Sequence, residues 1–284
     1  MIIDSHQHFW DLDRVEYPWL VPEYGPIYRS FHPDELAPQI RAAGVDRTVL
    51  VQSANSFADT DAMLAQAAAL SWIGAVVGWV PLEDAAAAAA ALDDGYALQP
   101  KFRGVRHLNH NEPDPDWLVR PGVIDGLQVL EARDLVFEVV AVYPLHLEHV
   151  PTLAQACPDL RIVIDHLAKP PIASGDLTAW KRDLTAAAAY PNVAAKVSGL
   201  NTAADWATWA AEDLVEAIGH AIDVFGVDRL MFGSDWPVAI LAGDYQRVWD
   251  ETGRALQLLG LSEPERAAVT GGTAATIYAI GEDQ

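Results

Sequence analysis

Sulfur and positive charge are both scarce in this 284-residue sequence. One cysteine, Cys157, excludes a disulfide within the chain and a thiolate cluster for zinc or iron–sulfur. It stands before a proline in "LAQACPDL" and reads as structural filler rather than as a nucleophile. Lysine and arginine together number 18 against 40 aspartates and glutamates, a formal net charge of -22. Without a basic cluster, a nucleic-acid-binding surface is not expected. The acidity reads as the solvated faces of outer helices, and it does not exclude a small anionic ligand. No basic stretch leads into an apolar one near Met1, so no secretory signal is expected, and no apolar run reaches the length of a membrane span. These absences point to a cytoplasmic protein without a membrane partner. No Gly-rich phosphate loop follows the first strand-like run, which argues against a doubly wound dinucleotide fold. No G-x-S-x-G elbow occurs, which argues against Ser234 beside His166 as a serine nucleophile.

What is present is rhythm. Half of the residues are hydrophobic (51%), enough for a large core. Short apolar runs recur: "MIIDSH", "RTVLVQ", "WIGAVVGWV", "KFRGVRHL", "LVFEVVAV", "RIVIDH", "VAAKVSG" and "RLMFGSD". Between them lie Ala/Leu-rich segments with helical spacing, such as "DTDAMLAQAAAL" and "AAEDLVEAIGHAIDVFG". The seven alanines Ala85–Ala91 read as a strong helix former, not as a linker. Eight strands alternating with helices predict parallel βαβ units, and eight is the number that closes a (β/α)8 barrel of the α/β class. No linker divides the chain, so residues 1–284 are expected to form one domain. The segment Asp11–Pro33 is a long first loop, rich in Pro, Tyr and Trp, of the kind that often acts as a lid.

In such a barrel the chemistry sits at the C-terminal ends of the strands. Polar residues collect there: His6 and His8, Gln52, Trp79, Arg106 and His107, Asp165 and His166, Lys196 and Ser198, then Ser234, Asp235 and Trp236. Side chains two apart on a strand point the same way, so His6 and His8 face one point. Two imidazoles at that spacing suit a Zn²⁺-type ion. His166 and Asp235 approach from opposite walls, completing a plausible mononuclear set. A buried histidine pair or a tight turn is the bland alternative for a lone H-x-H.

The stretches "IIDSHQHFW", "FRGVRH", "IDHLAKP", "KVSGL" and "MFGSDWPV" together resemble the amidohydrolase superfamily, and within it the branch of sugar-lactone hydrolases that act on L-fuconolactone and L-rhamnonolactone. The likeness spans nearly the whole chain. It implies hydrolysis of a cyclic ester to a sugar acid in a (β/α)8 barrel. The family's strand-one metal histidines match His6 and His8, its strand-six histidine His166, and its strand-eight acid Asp235. Strand five, "VFEVVAVY", offers no His or Lys at its end, so one metal rather than two is expected. The branch and its relatives include members that dispense with metal, so a bound metal and a required metal are separate expectations. Thr273 stands where many relatives carry Asn and is expected to help cap the final helix.

Lactone opening needs an activated water, a polarised carbonyl and a proton for the leaving alkoxide. Asp235 is the expected general base, and zinc the expected ion, lowering the pKa of the attacking water. Arg106 offers a permanently charged fork for the carbonyl or the developing carboxylate, with a structural salt bridge as its alternative. His166 is expected to bind metal or stabilise the oxyanion. Asp165 should point away from His166 as a structural group. Lys196, inside an apolar strand, must either pair with a carboxylate or face substrate. Gln52, Trp79, His107, Lys196 and Trp236 are the expected substrate contacts, and Trp10, Trp79 and Trp236 could wall a sugar-sized pocket. The rivals are a metal-dependent decarboxylase or amidase on the same fold and, from another class, a non-catalytic carbohydrate-binding protein. A homo-oligomer is left open.

Overall fold

The computed structural model describes residues 1–281; Glu282–Gln284, the end of the expected domain, lie outside the described residues. All eight apolar runs form strands: β1 (Ile3–Gln7), β2 (Arg47–Val51), β3 (Ile73–Gly78), β4 (Phe102–His107), β5 (Val136–Val139), β6 (Arg161–Ile164), β7 (Val193–Val197) and β8 (Leu230–Phe232). They pair in sequence order in one parallel sheet. A parallel bridge between Gln7 and Trp236 brings the last strand back to the first. His8 N donates to the Trp236 carbonyl and Asp235 N to the His6 carbonyl, both at 2.8 Å. This is the expected (β/α)8 barrel.

One helix follows each strand: α1 (Pro33–Ala42), α2 (Phe57–Ala69), α3 (Ala85–Asp93), α4 (Pro121–Glu131), α5 (Val150–Ala156), α6 (Thr178–Ala188), α7 (Ala211–Phe225) and α8 (Tyr245–Leu258). Their starts are written in the sequence. Ser56, Asp84 and Asp244 each accept a backbone N–H of the first turn, at 3.2, 3.0 and 2.7 Å. The alanine run is indeed helix, as α3. Two short helices, α9 (Glu263–Ala267) and α10 (Thr273–Ile277), fold under the barrel. Thr273 does not cap α10; its hydroxyl donates to the Val227 carbonyl at 3.1 Å.

The core has two parts. The larger fills the space between strands and outer helices. The smaller fills the barrel's lower lumen with Ile3, Val49, Val51, Ala75, Val77, Val136, Val163, Ala194 and Met231, plugged by Ala274, Tyr278 and Ile280. Inward positions recur every second residue along a strand. Continuing that period upward brings Glu138, Asp165 and Lys196 into the lumen, each completely buried. The lumen therefore turns from apolar to ionic toward the C-terminal ends of the strands. No helix among the described residues is long and apolar enough to cross a membrane.

The first loop is tied at both ends. Trp10 and Phe31 exchange backbone hydrogen bonds, and Trp10 Nε1 donates to the Arg29 carbonyl at 2.6 Å. Tyr17 donates to Asp59 on α2, and Trp19 Nε1 to the Ser53 carbonyl at 2.6 Å, so the loop is laid over the end of β2.

Candidate active site

The ionic layer is built from below. Tyr278 donates to Glu138, and Lys196 Nζ lies 2.7 Å from the other Glu138 oxygen. The same ammonium is 3.0 Å from His6 Nδ1 and 3.4 Å from Asp165 Oδ1. Asp165 also lies 3.3 Å from His6 Nδ1 and 2.9 Å from the Arg106 guanidinium. Arg106 in turn donates to the Gln52 carbonyl. Burial pushes the Glu138 carboxyl up to about 7, against the pull of Lys196. Asp165 goes the other way: burial would raise it, but Lys196, His6 and Arg106 outweigh that and hold it well below the usual carboxylate range.

On this layer stand His6, His8, His166 and Asp235. The two ring nitrogens His6 Nε2 and His8 Nε2 are 3.1 Å apart. Asp235 Oδ1 lies 3.8, 3.7 and 3.8 Å from the Nε2 atoms of His6, His8 and His166. Burial lowers all three imidazoles, His166 down to about 3 and His6 well below 6.5 with Lys196 adding to the effect. Burial alone would raise the Asp235 carboxyl, yet His166, Lys169, His8 and His6 keep it ionised well below the usual range.

These residues fit a divalent metal. His8 Nδ1 donates to the Val51 carbonyl at 2.7 Å, which leaves Nε2 as a bare lone pair. Zinc bonds of about 2.0–2.1 Å put two ligands of one ion no more than about 4.2 Å apart. The His6, His8 and Asp235 donors all meet that limit. Asp235 Oδ2 is buried without a hydrogen-bond partner. Two groups of donor atoms are close enough to hold an ion: His6, His8 and Asp235, and His6, Asp165 and His166. The expected four-ligand set is thus divided, with His166 in the second group. There Arg106 and Lys196 already compensate Asp165.

Above the donors opens a cavity of about 470 Å³. His8, Arg106, His166 and Asp235 line its floor; Trp10, Trp19, Tyr24 and Ile27 bring the first loop to its wall. A hollow of about 640 Å³ behind that loop, between α1 and α2, holds neither metal-donor group.

Five expected substrate contacts lie elsewhere, for physical reasons. Lys196 is buried under His6 and paired with Glu138. Gln52 is turned to the Arg106 carbonyl and Asn55. His107, next to inward Arg106, faces outward; it stacks on Trp117 at 4.0 Å and accepts from Trp79 Nε1 at 3.1 Å. Trp79 follows the end of β3, where Thr60 takes its backbone N–H at 2.9 Å. Trp236 packs edge-on against Phe9 and Phe31. Asp165 is a further correction: it follows directly on β6, points inward, and shares the site with His166.

Sequence reasoning missed Glu138, Lys169 and the loop residues. Glu138 could have been found as a carboxylate inside an apolar strand. Lys169, in the motif "IDHLAKP", lines the cavity with Nζ 3.7 Å from Asp235 Oδ2. No signal placed Trp19, Tyr24 or Ile27.

Paired histidines at the end of the first strand and an acid after the last, close enough to hold a metal, stand at the C-terminal mouth of a (β/α)8 barrel. The chain belongs to the amidohydrolase family, whose model matches residues 3–280. It is 41% identical to an L-fucono-1,5-lactonase of Burkholderia ambifaria, over 98% of this chain and 95% of that one. It is 37% identical to an L-fucono-1,5-lactonase of Burkholderia multivorans, over 99% and 96%. The crystal structure of a Burkholderia multivorans amidohydrolase with bound zinc superposes with a TM-score of 0.88, at 34% identity, covering 99% of this chain and 100% of that one.

Proposed function

We propose that this protein opens a sugar lactone, such as L-fucono-1,5-lactone or L-rhamnonolactone, to the sugar acid. The observation that carries the reading is the convergence of His6, His8 and Asp235 under a cavity large enough for a monosaccharide, in a chain so similar to two L-fucono-1,5-lactonases. His6, His8 and Asp235 would hold a metal, and the nitrogen-rich set would favour Zn²⁺. A divalent ion there would supply Lewis acidity toward the ester carbonyl and toward water, which suits a base as weak as Asp235. Arg106 orients the carbonyl oxygen, with its guanidinium fixed by Asp165. His166, steadied by Ser198 at 2.8 Å, borders the reacting carbon. Asp235 takes a proton from the attacking water and returns it to the ring oxygen. Residues 1–284 act as one domain on a small neutral substrate. The single buried cysteine suits a reducing compartment, the cytoplasm.

The test is proton release from a panel of aldonolactones, before and after chelation and with zinc restored. Turnover of a sugar lactone supports the reading, and its survival after chelation makes the metal dispensable. Inertness toward every lactone, with release of carbon dioxide from an aromatic acid, replaces it with a decarboxylase.

A further inference from the structure

Just past β6 the backbone does something rare. His166, Leu167, Ala168 and Lys169 have φ of 54°, 49°, 60° and 53°. Four consecutive L-residues thus sit in the left-handed region, at a cost of about 1–2 kcal/mol each. Such strain persists only where the surroundings fix it. Here Trp180 Nε1 donates to the Leu167 carbonyl at 2.7 Å, Tyr143 N to that of Ala168 at 3.0 Å, and Lys169 N to that of His166 at 2.8 Å. A turn of about three residues puts positions 166 and 169 on one side. The strained turn therefore aims two side chains at one carboxylate, His166 at Asp235 Oδ1 (3.8 Å) and Lys169 at Oδ2 (3.7 Å).

The ammonium group of Lys169 has three N–H donors. Thr202 Oγ1 at 2.9 Å and the Gly199 carbonyl at 3.3 Å engage two of them. The third is left for the cavity, which Lys169 lines. Oδ1 of Asp235 is ringed by imidazoles, whereas Oδ2 lacks a hydrogen-bond partner and faces Lys169. Asp235 and Lys169 therefore line the cavity side by side, 3.7 Å apart.

Building on the lactone-hydrolase reading, we propose that Lys169 is a catalytic residue for the leaving group, donating a hydrogen bond to the lactone ring oxygen as the acyl–oxygen bond breaks. Water oxygen forms the new bond to the carbonyl carbon, and one water proton goes to the Asp235 carboxylate. The ring bond breaks with its electron pair on the ring oxygen, which then takes that proton back from Asp235. Lys169 keeps its own protons throughout and stabilises the negative charge in passage.

The test compares Lys169→Met and Lys169→Arg with the wild type on a sugar lactone labelled with ¹⁸O in the ring. Removing one such donor should lower kcat about 100- to 1000-fold in Lys169→Met, with KM within about threefold and partial recovery in Lys169→Arg. The ring-¹⁸O isotope effect should grow in Lys169→Met, because bond cleavage has lost its support. A kcat within about threefold of wild type overturns the proposal. So does a large fall in kcat with an unchanged isotope effect, which would make Lys169 a positioning residue. Lys169→Gln carries the same measurements if the Met variant does not fold. Wild type inert on every lactone would instead refute the functional reading, before any variant is compared.

Discussion

Gly199 is where the site has no room to spare, and replacing it separates crowding from backbone strain. Its φ is +57°, and a Cβ there would lie 2.6 Å from Asp235 Oδ2, 2.9 Å from His166 Nδ1 and 3.0 Å from Lys169 Nζ. Ordinary contact begins at 3.4 Å, so Gly199→Ala must displace Oδ2 by 0.8 Å and the two nitrogens by 0.5 and 0.4 Å. Misplacement by about 1 Å costs about 100-fold in rate, and kcat/KM for lactone hydrolysis should fall by about that factor. The left-handed backbone adds about 1–2 kcal/mol of destabilisation, a drop of a few °C in Tm at this chain length. Gly175→Ala is the control. Its φ is +74°, in the left-handed region, but nothing lies within 4 Å of the added methyl. It should lose similar stability and keep kcat/KM within about twofold. Proton-release kinetics and thermal melts on both variants decide the matter. Equal activity of the two, or an active Gly199→Ala enzyme, would refute the claim that Asp235, His166 and Lys169 meet as one unit.

Two further outcomes concern pH. Burial lowers the His6 and His8 imidazoles from the ordinary value of 6.5, so protons compete less for their lone pairs than for those of free imidazoles. Zinc content measured after equilibration should be undiminished at pH 6, where about three quarters of ordinary imidazoles are protonated; half-loss at or above pH 6.5 would contradict this. Asp59 is raised by burial from 3.8 to about 6, although Ser53, Ala54 and Tyr17 donate to it. A raised carboxyl contributes stability that is full below about pH 4 and lost as pH rises through about 6. Asp59→Asn should therefore gain on the wild type, by up to about 3 kcal/mol between pH 4 and 7, in paired denaturant titrations. A difference that does not change with pH would remove Asp59 as a strained link between the first loop and β2.

The barrel was legible because its strands are short, β-branched and separated by helical stretches. His6 and His8 were legible through the two-residue period of a strand. The same rule, applied to "IDH", selects Asp165 as the inward residue and turns His166 away. The structure brings both into the site, because β6 stops at Ile164 and the following residues wind left-handed. No local pattern announces four such residues without a glycine. Standing at a strand end also proved a weaker criterion than facing the lumen. Trp79, His107 and Trp236 satisfy the first, but each side chain is held by neighbours outside the cavity. The loop residues Trp19, Tyr24 and Ile27 were out of reach because hydrogen bonds to Ser53 and Asp59, well beyond the loop in sequence, decide where it lies.

The central claim is that Asp235 works on a sugar lactone held over His6 and His8. The most direct measurement is proton release from L-fucono-1,5-lactone by zinc-supplemented wild type and Asp235→Asn, side by side. Rapid opening by the wild type and a loss of about 100- to 10,000-fold in the variant is the predicted result. Wild type no faster than the uncatalysed reaction, or a variant that keeps its rate, would contradict it.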